Sequence, residues 1–204
     1  RRGMKWEDFG PFVLPYVVGC PLPTMVHHVR LAAIEFCKRT KCWARNLEPV
    51  TALDPHVVEI EPDSTNARIL AIEGVAVDGV DWPVLSADTG VAKSLQPSSE
   101  KFSFSEDLAS LCIYPAMTNG AQVVARVAMV PKLTASELPV ELEEYAQHIA
   151  NGAIASIMRI PSQPFTGPSG DFEALFRAEI RSESARLARG LMANGNTRQA
   201  PSFL

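Results

Sequence analysis

The side chains whose types and spacing suit chemistry are two adjacent histidines, four cysteines, a glycine-bracketed loop, a glutamate cluster and a set of arginines. His27 and His28 fall in a segment with helical periodicity. Consecutive helical residues point about 100° apart, so both rings cannot ligate one metal from one face. One ring is expected at the core edge and the other in solvent. Cys20, Cys37, Cys42 and Cys112 form no Cys-x-x-Cys pair. Cys37 and Cys42, five apart, would point to different sides of a helix, so all four read as reduced packing residues. His56 and His148 stand singly and read as surface or satisfied polar groups. Gly167-Pro168-Ser169-Gly170-Asp171 comes nearest to a phosphate loop, but its proline removes a backbone donor and no lysine follows. Glu141, Glu143 and Glu144 read as a solvated first helical turn. Arg177, Arg181, Arg186 and Arg189 alternate with Glu173, Glu179 and Glu183, which cancel much of their field. A solvated helix or a subunit interface laced with ion pairs is the expectation there. No nucleophile-elbow, zinc-protease, Walker or dinucleotide fingerprint occurs. No catalytic residue, metal ligand or cofactor is therefore assigned.

Composition narrows the class. With 204 residues, 47% hydrophobic and 21% charged, the chain can bury one substantial core and falls short of a clear two-domain length. A net charge of −4 argues against a protein that grips a nucleic-acid backbone. Every apolar run is broken well short of the roughly 18 residues a membrane helix needs. No signal peptide is read at the start, where Arg1-Arg2-Gly3 before Met4 looks incidental. A reducing cytoplasm is the expected compartment of synthesis.

The elements that would position these residues begin with Phe9 to Trp43. Leu22, Val26, Val29, Ala33 and Phe36 recur at helical spacing and predict an amphipathic helix from about Leu22. Ahead of it, Pro11, Pro15, Pro21 and Pro23 argue for an extended arm. On that arm Phe12, Leu14, Tyr16 and Val17 need a covering surface, and a neighbouring subunit is the expected one. His56 to Glu61 and Arg68 to Glu73 read as paired antiparallel strands, and Asp78-Gly79 as a tight hairpin turn. Residues 86 to 101 read as an exposed loop, and Lys101 to Ser105 as a strand with both aromatics on one face. Leu108 to Tyr114 and Gln122 to Val130 read as a hairpin about Met117-Thr118-Asn119-Gly120. In its second strand Val123, Ala125, Val127 and Met129 share a face.

A second helix is expected from about Pro139, marked by Leu138, Leu142, Tyr145, Ile149, Ala153, Ile157 and Ile160. Asn151-Gly152 inside it signals close approach of another backbone. After a linker from Pro161 to Gly170, a third helix follows Asp171 with a narrow edge of Phe172, Phe176, Ile180, Leu187 and Leu191. No folded element is expected at the end of the chain, from Met192. The fold class expected is α+β: a helical core of N-terminal, long central and C-terminal helices, an inserted small antiparallel sheet or sandwich, an extended arm and a tail. The expected division is an arm at 1–21, a domain at 22–190 with a β-rich insertion at about 50–132, and a tail at 191–204.

This order of parts, with the runs CPLPTMVHHVRLAAIEFCKRTKCW and ELPVELEEYAQHIANGAIASIM, resembles the head-to-tail adaptor proteins of tailed bacteriophages. In layout it is similar to the tail tubular protein A group of short-tailed phages. The resemblance runs from Trp6 to about Gly190 and is most specific at Gly19 to Trp43 and Glu137 to Arg159. It implies a structural virion protein at the head-tail junction, forming a ring, usually of twelve copies, beneath the portal. Its partners would be the portal protein and tail or nozzle proteins. Double-stranded DNA would pass through the ring without specific binding, and no membrane is involved. The family's C-terminal segment reaches back into the portal. By position, that role falls here on Arg198, Gln199, Ala200, Pro201, Ser202, Phe203 and Leu204. A different tail component, such as a terminator or nozzle-associated protein, and a small enzyme with a site made only in the fold are the alternatives.

Overall fold

The computed structural model describes residues 3–85, 101–105, 107–161, 163–165 and 167–195. The chain divides into two compact units. One is made of the segments up to Cys42 and from Ser136 on; the other is the continuous stretch Trp43–Ala135.

The first unit is helical. A short strand β1 (Met4–Lys5) leads into a 3₁₀ turn at Trp6–Phe9, helix α1 (Gly10–Val13) and helix α2 (Leu22–Thr40). After the second unit the chain returns through β10 (Glu137–Leu138), which pairs antiparallel with β1. A 3₁₀ segment at Val140–Tyr145 then feeds α3 (Ala146–Met158), and α4 (Gly170–Gly195) follows. Helix α3 packs against α1, α2 and α4. Its residues from Ile149 to Ala155 are all buried, Asn151 and Gly152 among them. On α2 the side chains of Met25, Val29, Ala33 and Phe36 are fully buried, while among its described side chains α4 contributes Phe176 and Ile180 to the core. Each large apolar side chain so buried contributes about 1.5–3 kcal/mol.

Among its described residues the second unit holds two antiparallel sheets. Strands β2 (Ala44–Asn46), β9 (Gln122–Pro131), β5 (Ala67–Val77) and β6 (Val80–Trp82) lie in that order, with β3 (Val50–Thr51) also on β9. Strands β4 (Val57–Glu59), β8 (Ser110–Tyr114) and β7 (Phe102–Phe104) form the other sheet. Val123, Ala125, Val127 and Met129 share the buried face of β9, while Gln122 and Arg126 are exposed. At the β5–β6 turn Asp78 (φ 50°) and Gly79 (φ 77°) are both left-handed, as a primed two-residue hairpin requires. Phe102 and Phe104 do share a face, packed with Leu85, Cys112 and Tyr114.

The expected α+β plan of one small inserted sheet with an extended arm and a tail is overturned. The chain is a mixed α/β protein with four helices and three antiparallel sheets among the described residues. The arm is not extended, because Pro11 sits in the first turn of α1, where a missing N–H costs nothing. The stretches at 56–61 and 68–73 are not partners: β4 pairs with β8, and β5 with β9 and β6. Nor do β8 and β9 form a hairpin; the turn closed by Ala121 N–H to Thr118 O at 3.0 Å carries the chain from one sheet to the other. Helix α4 continues through Gly195, so Leu191 to Gly195 do not belong to an irregular tail. Of the expected loop at 86–101, residues 86–100 lie outside the described residues.

Candidate functional site

A group of interacting titratable side chains lies where α3 and α4 meet. Tyr145 ends the 3₁₀ segment and His148 and Asn151 follow at steps of three, one helical face of about two turns. Glu179, Glu183 and Arg186 occupy one face of α4 at steps of four and three. The Tyr145 hydroxyl donates to Glu183 Oε1 at 2.7 Å and accepts from an Arg186 terminal nitrogen at 3.0 Å. Arg186 grips the same carboxylate with two nitrogens, Nε to Oε2 at 2.8 Å and a terminal nitrogen to Oε1 at 2.6 Å. One turn earlier, His148 Nδ1 lies 2.9 Å from Glu179 Oε1, and Asn151 Nδ2 donates to that oxygen at 3.2 Å. Gln147 donates in turn to Asn151 Oδ1 at 3.3 Å. The Phe36 ring flanks both Tyr145 and His148, at centroid distances of 5.1 and 6.1 Å.

The electrostatics follow from the geometry. Hydrogen bonds from Arg186 hold the Glu183 carboxyl below the usual carboxylate range, opposed by burial. Burial and the neighbouring carboxylate push the Tyr145 phenol up, so it keeps its proton. Glu183 in turn raises the affinity of Arg186 for its proton. A phenol fixed between a carboxylate and the guanidinium that neutralises it is poorly placed to abstract protons. The arrangement instead joins two helices through charge-assisted bonds.

The residues singled out for chemistry fall as follows. His27 is exposed, and His28 is half-buried with Nδ1 2.8 Å from Ser156 Oγ. Burial lowers the His28 pKa, with the His27 ring adding to the effect. His56 Nδ1 donates to Ile113 O at 3.2 Å. Glu141, Glu143 and Glu144 are exposed. Gly170 and Asp171 open α4, where Ser169 O accepts the Glu173 N–H at 3.0 Å. Among the described residues no group of three or more His, Cys, Asp or Glu side chains stands ready to hold a metal. Cys37 and Cys42 do not point apart as expected: Cys42 lies beyond the helix end, just past the left-handed Lys41, close enough to Cys37 for the two thiols to influence each other's ionisation. At Gly152 the nearest approach is by a side chain rather than the expected backbone. A Cβ there would stand 2.8 Å from the Phe176 ring. Sequence reasoning treated His148 as a singleton and missed its partner Glu179, which lies on another helix.

Of the expected interface residues, Phe12 and Leu14 are partly buried and Tyr16 is 54% exposed. Val17 is fully buried in its own chain, leaving nothing for a neighbour. The Tyr16 ring sits edge-on to Phe172 at 5.0 Å. Val18 and Leu22, close by in the chain, and Leu175, one turn after Phe172, are exposed at 76%, 46% and 51%. The expected portal-contacting residues, Arg198 to Leu204, lie outside the described residues. In the β unit a cleft of about 650 Å³ is lined by Glu61, Asp63, Arg68, Asp107 and Lys132 among others, a lining of both charge signs.

No protein-family model matches this chain. The curated proteins contain no match to it either.

Proposed function

We propose that the chain is a structural assembly protein of the head-to-tail adaptor kind, acting as a repeated subunit of a ring between a phage portal and its tail. The observation that carries this reading is the apolar surface of Tyr16, Val18, Leu22 and Leu175 on the helical unit. Four large apolar side chains, each at least 46% exposed, leave apolar surface on this unit that another protein can cover. A patch that meets a different patch on the next copy generates a ring when the rotation closes. In this reading the chain carries no catalytic activity, double-stranded DNA passes without specific binding, and the portal and the tail or nozzle proteins are the partners at the head-tail junction of the virion.

Sedimentation velocity and negative-stain microscopy of the purified chain, alone and mixed with portal protein, test the proposal. Rings or ring arcs of one rotational symmetry are expected. A strict monomer at high concentration, unchanged by portal, overturns it.

A further inference from the structure

We propose that Cys42 and Cys37 are a redox modification site, a thiol pair that closes into a disulfide under peroxide, with Cys42 attacking and Cys37 resolving. The pairing comes from how α2 ends. Lys41 caps the helix in the left-handed conformation, φ 55° and ψ 29°, and its N–H reaches back to Cys37 O at 2.8 Å. Such a cap folds the next residue back over the last helical turn, which sets Cys42 beside Cys37. Thr40 holds the reversal. Its hydroxyl donates to Phe36 O at 2.8 Å and accepts from the Cys42 N–H at 3.2 Å, and the residue is only 4% exposed.

The two sulfurs have unequal surroundings. Cys37 is fully buried, whereas Cys42 is partly open. The neighbouring Cys37 thiol favours a Cys42 thiolate, opposed by burial and the Glu183 carboxylate. The neighbouring Cys42 and burial hold the proton on Cys37. A thiolate of lowered pKa that solvent can reach is the form oxidants attack.

The chemistry balances with a peroxide as the oxidant. The Cys42 thiolate attacks one peroxide oxygen, the O–O bond breaks, and the departing hydroxide takes a proton to leave as water. Cys37, giving up its proton, attacks the resulting Cys42 sulfenic acid, and the sulfenyl oxygen leaves with that proton as a second water. Two thiols are oxidised to one disulfide while hydrogen peroxide is reduced to two waters. The bond formed would staple the C-terminus of α2. This inference is independent of the adaptor reading and stands or falls without it.

Tryptic mapping of the full chain tests it. Reduced protein is treated with one equivalent of hydrogen peroxide, alkylated without reductant and digested. Cleavage after Arg30, Lys38, Lys41 and Arg45 places Cys37 in the peptide 31–38 and Cys42 in the peptide 42–45. A cross-linked pair of these peptides, two hydrogens lighter than their sum and lost on reduction, is expected before Cys20 or Cys112 reacts. In Cys37→Ser, Cys42 should stop at a sulfenic acid that dimedone traps. A cross-link from Cys42 to Cys20 or Cys112, oxidation of Cys42 beyond sulfenic acid without a cross-link, or equal loss of all four thiols overturns the proposal. The wild-type digest alone separates these outcomes, whether or not the variant folds.

Discussion

At Gly152 one missing methyl group sets how closely α3 and α4 approach. Alanine there would gain about 1 kcal/mol of helix propensity, but its Cβ would stand 2.8 Å from a Phe176 ring that also packs on Phe36 at 6.1 Å. Overpacking of this kind costs about 1–3 kcal/mol. Gly152→Ala should therefore destabilise the protein in urea titration, and Phe176→Leu in the same chain should recover part of the loss. A more stable single variant would show that the ring has room to move. Glu183 gives a pH-dependent counterpart. Its carboxyl titrates below the ordinary 4.5 because Arg186 and Tyr145 hydrogen-bond to it, so the folded chain binds that proton less readily than the unfolded chain. The stability this confers is complete above pH 4.5 and drains away as pH falls through the folded value. Glu183→Gln should flatten that acid limb of the stability curve. An identical slope in wild type and variant would remove Glu183 as its source. Glycine and the acid–base groups were visible in the sequence, and Arg186 stands within reach of Glu183 on the same helix, but Phe176 and Tyr145 as partners were not legible, since each lies on a separate stretch of chain.

Among the elements, the β5–β6 hairpin is the one whose local chemistry and observed geometry agree most closely. Asp78-Gly79 predicted a primed turn, and both residues have positive φ. A Cβ on Gly79 would meet nothing within 4 Å, so substitution there isolates the backbone term. Gly79→Ala should cost roughly 1–2 kcal/mol, the penalty of a left-handed non-glycine residue, as read by chemical denaturation. A neutral result would mean that the turn relaxes to another type. Strand partners were less legible. The alternation in β9 identified its buried face correctly, yet β9 bonds to β5, β2 and β3 rather than to its expected neighbour β8. Period-two patterning says which side of a strand is wet and nothing about which strand lies beside it. The prolines of the arm misled for a related reason. Proline removes a donor wherever it stands, but at the first turn of a helix that donor has no partner to lose.

At the scale of the whole molecule, two units built on different principles share one chain, and assembly is proposed to use the helical one. Val18→Asp and Leu175→Glu place charge on side chains that are 76% and 51% exposed. Both variants should keep the wild-type melting temperature while losing ring formation in sedimentation velocity. If assembly is unaffected, or if the wild type never assembles, the patch is not the contact. What the sequence determined by itself were properties carried by short windows: the helix from Leu22, the buried stripe through Ile149 and Ile157, and the turn at Asp78-Gly79. Periodicity, capping and turn chemistry act within a few residues, so they survive without knowledge of the rest of the chain. Tertiary structure alone decided the pairing of β4 with β8, the clasp of Tyr145 and Glu183 by Arg186, the burial of Val17 and the meeting of Cys42 with Cys37. The first three depend on segments distant in sequence, and the last on a single left-handed residue, Lys41, whose side chain gives no sign of that conformation. Long-range contacts form only where the summed gain in burial and bonding exceeds the entropy of closing the intervening chain, and that balance belongs to the whole fold.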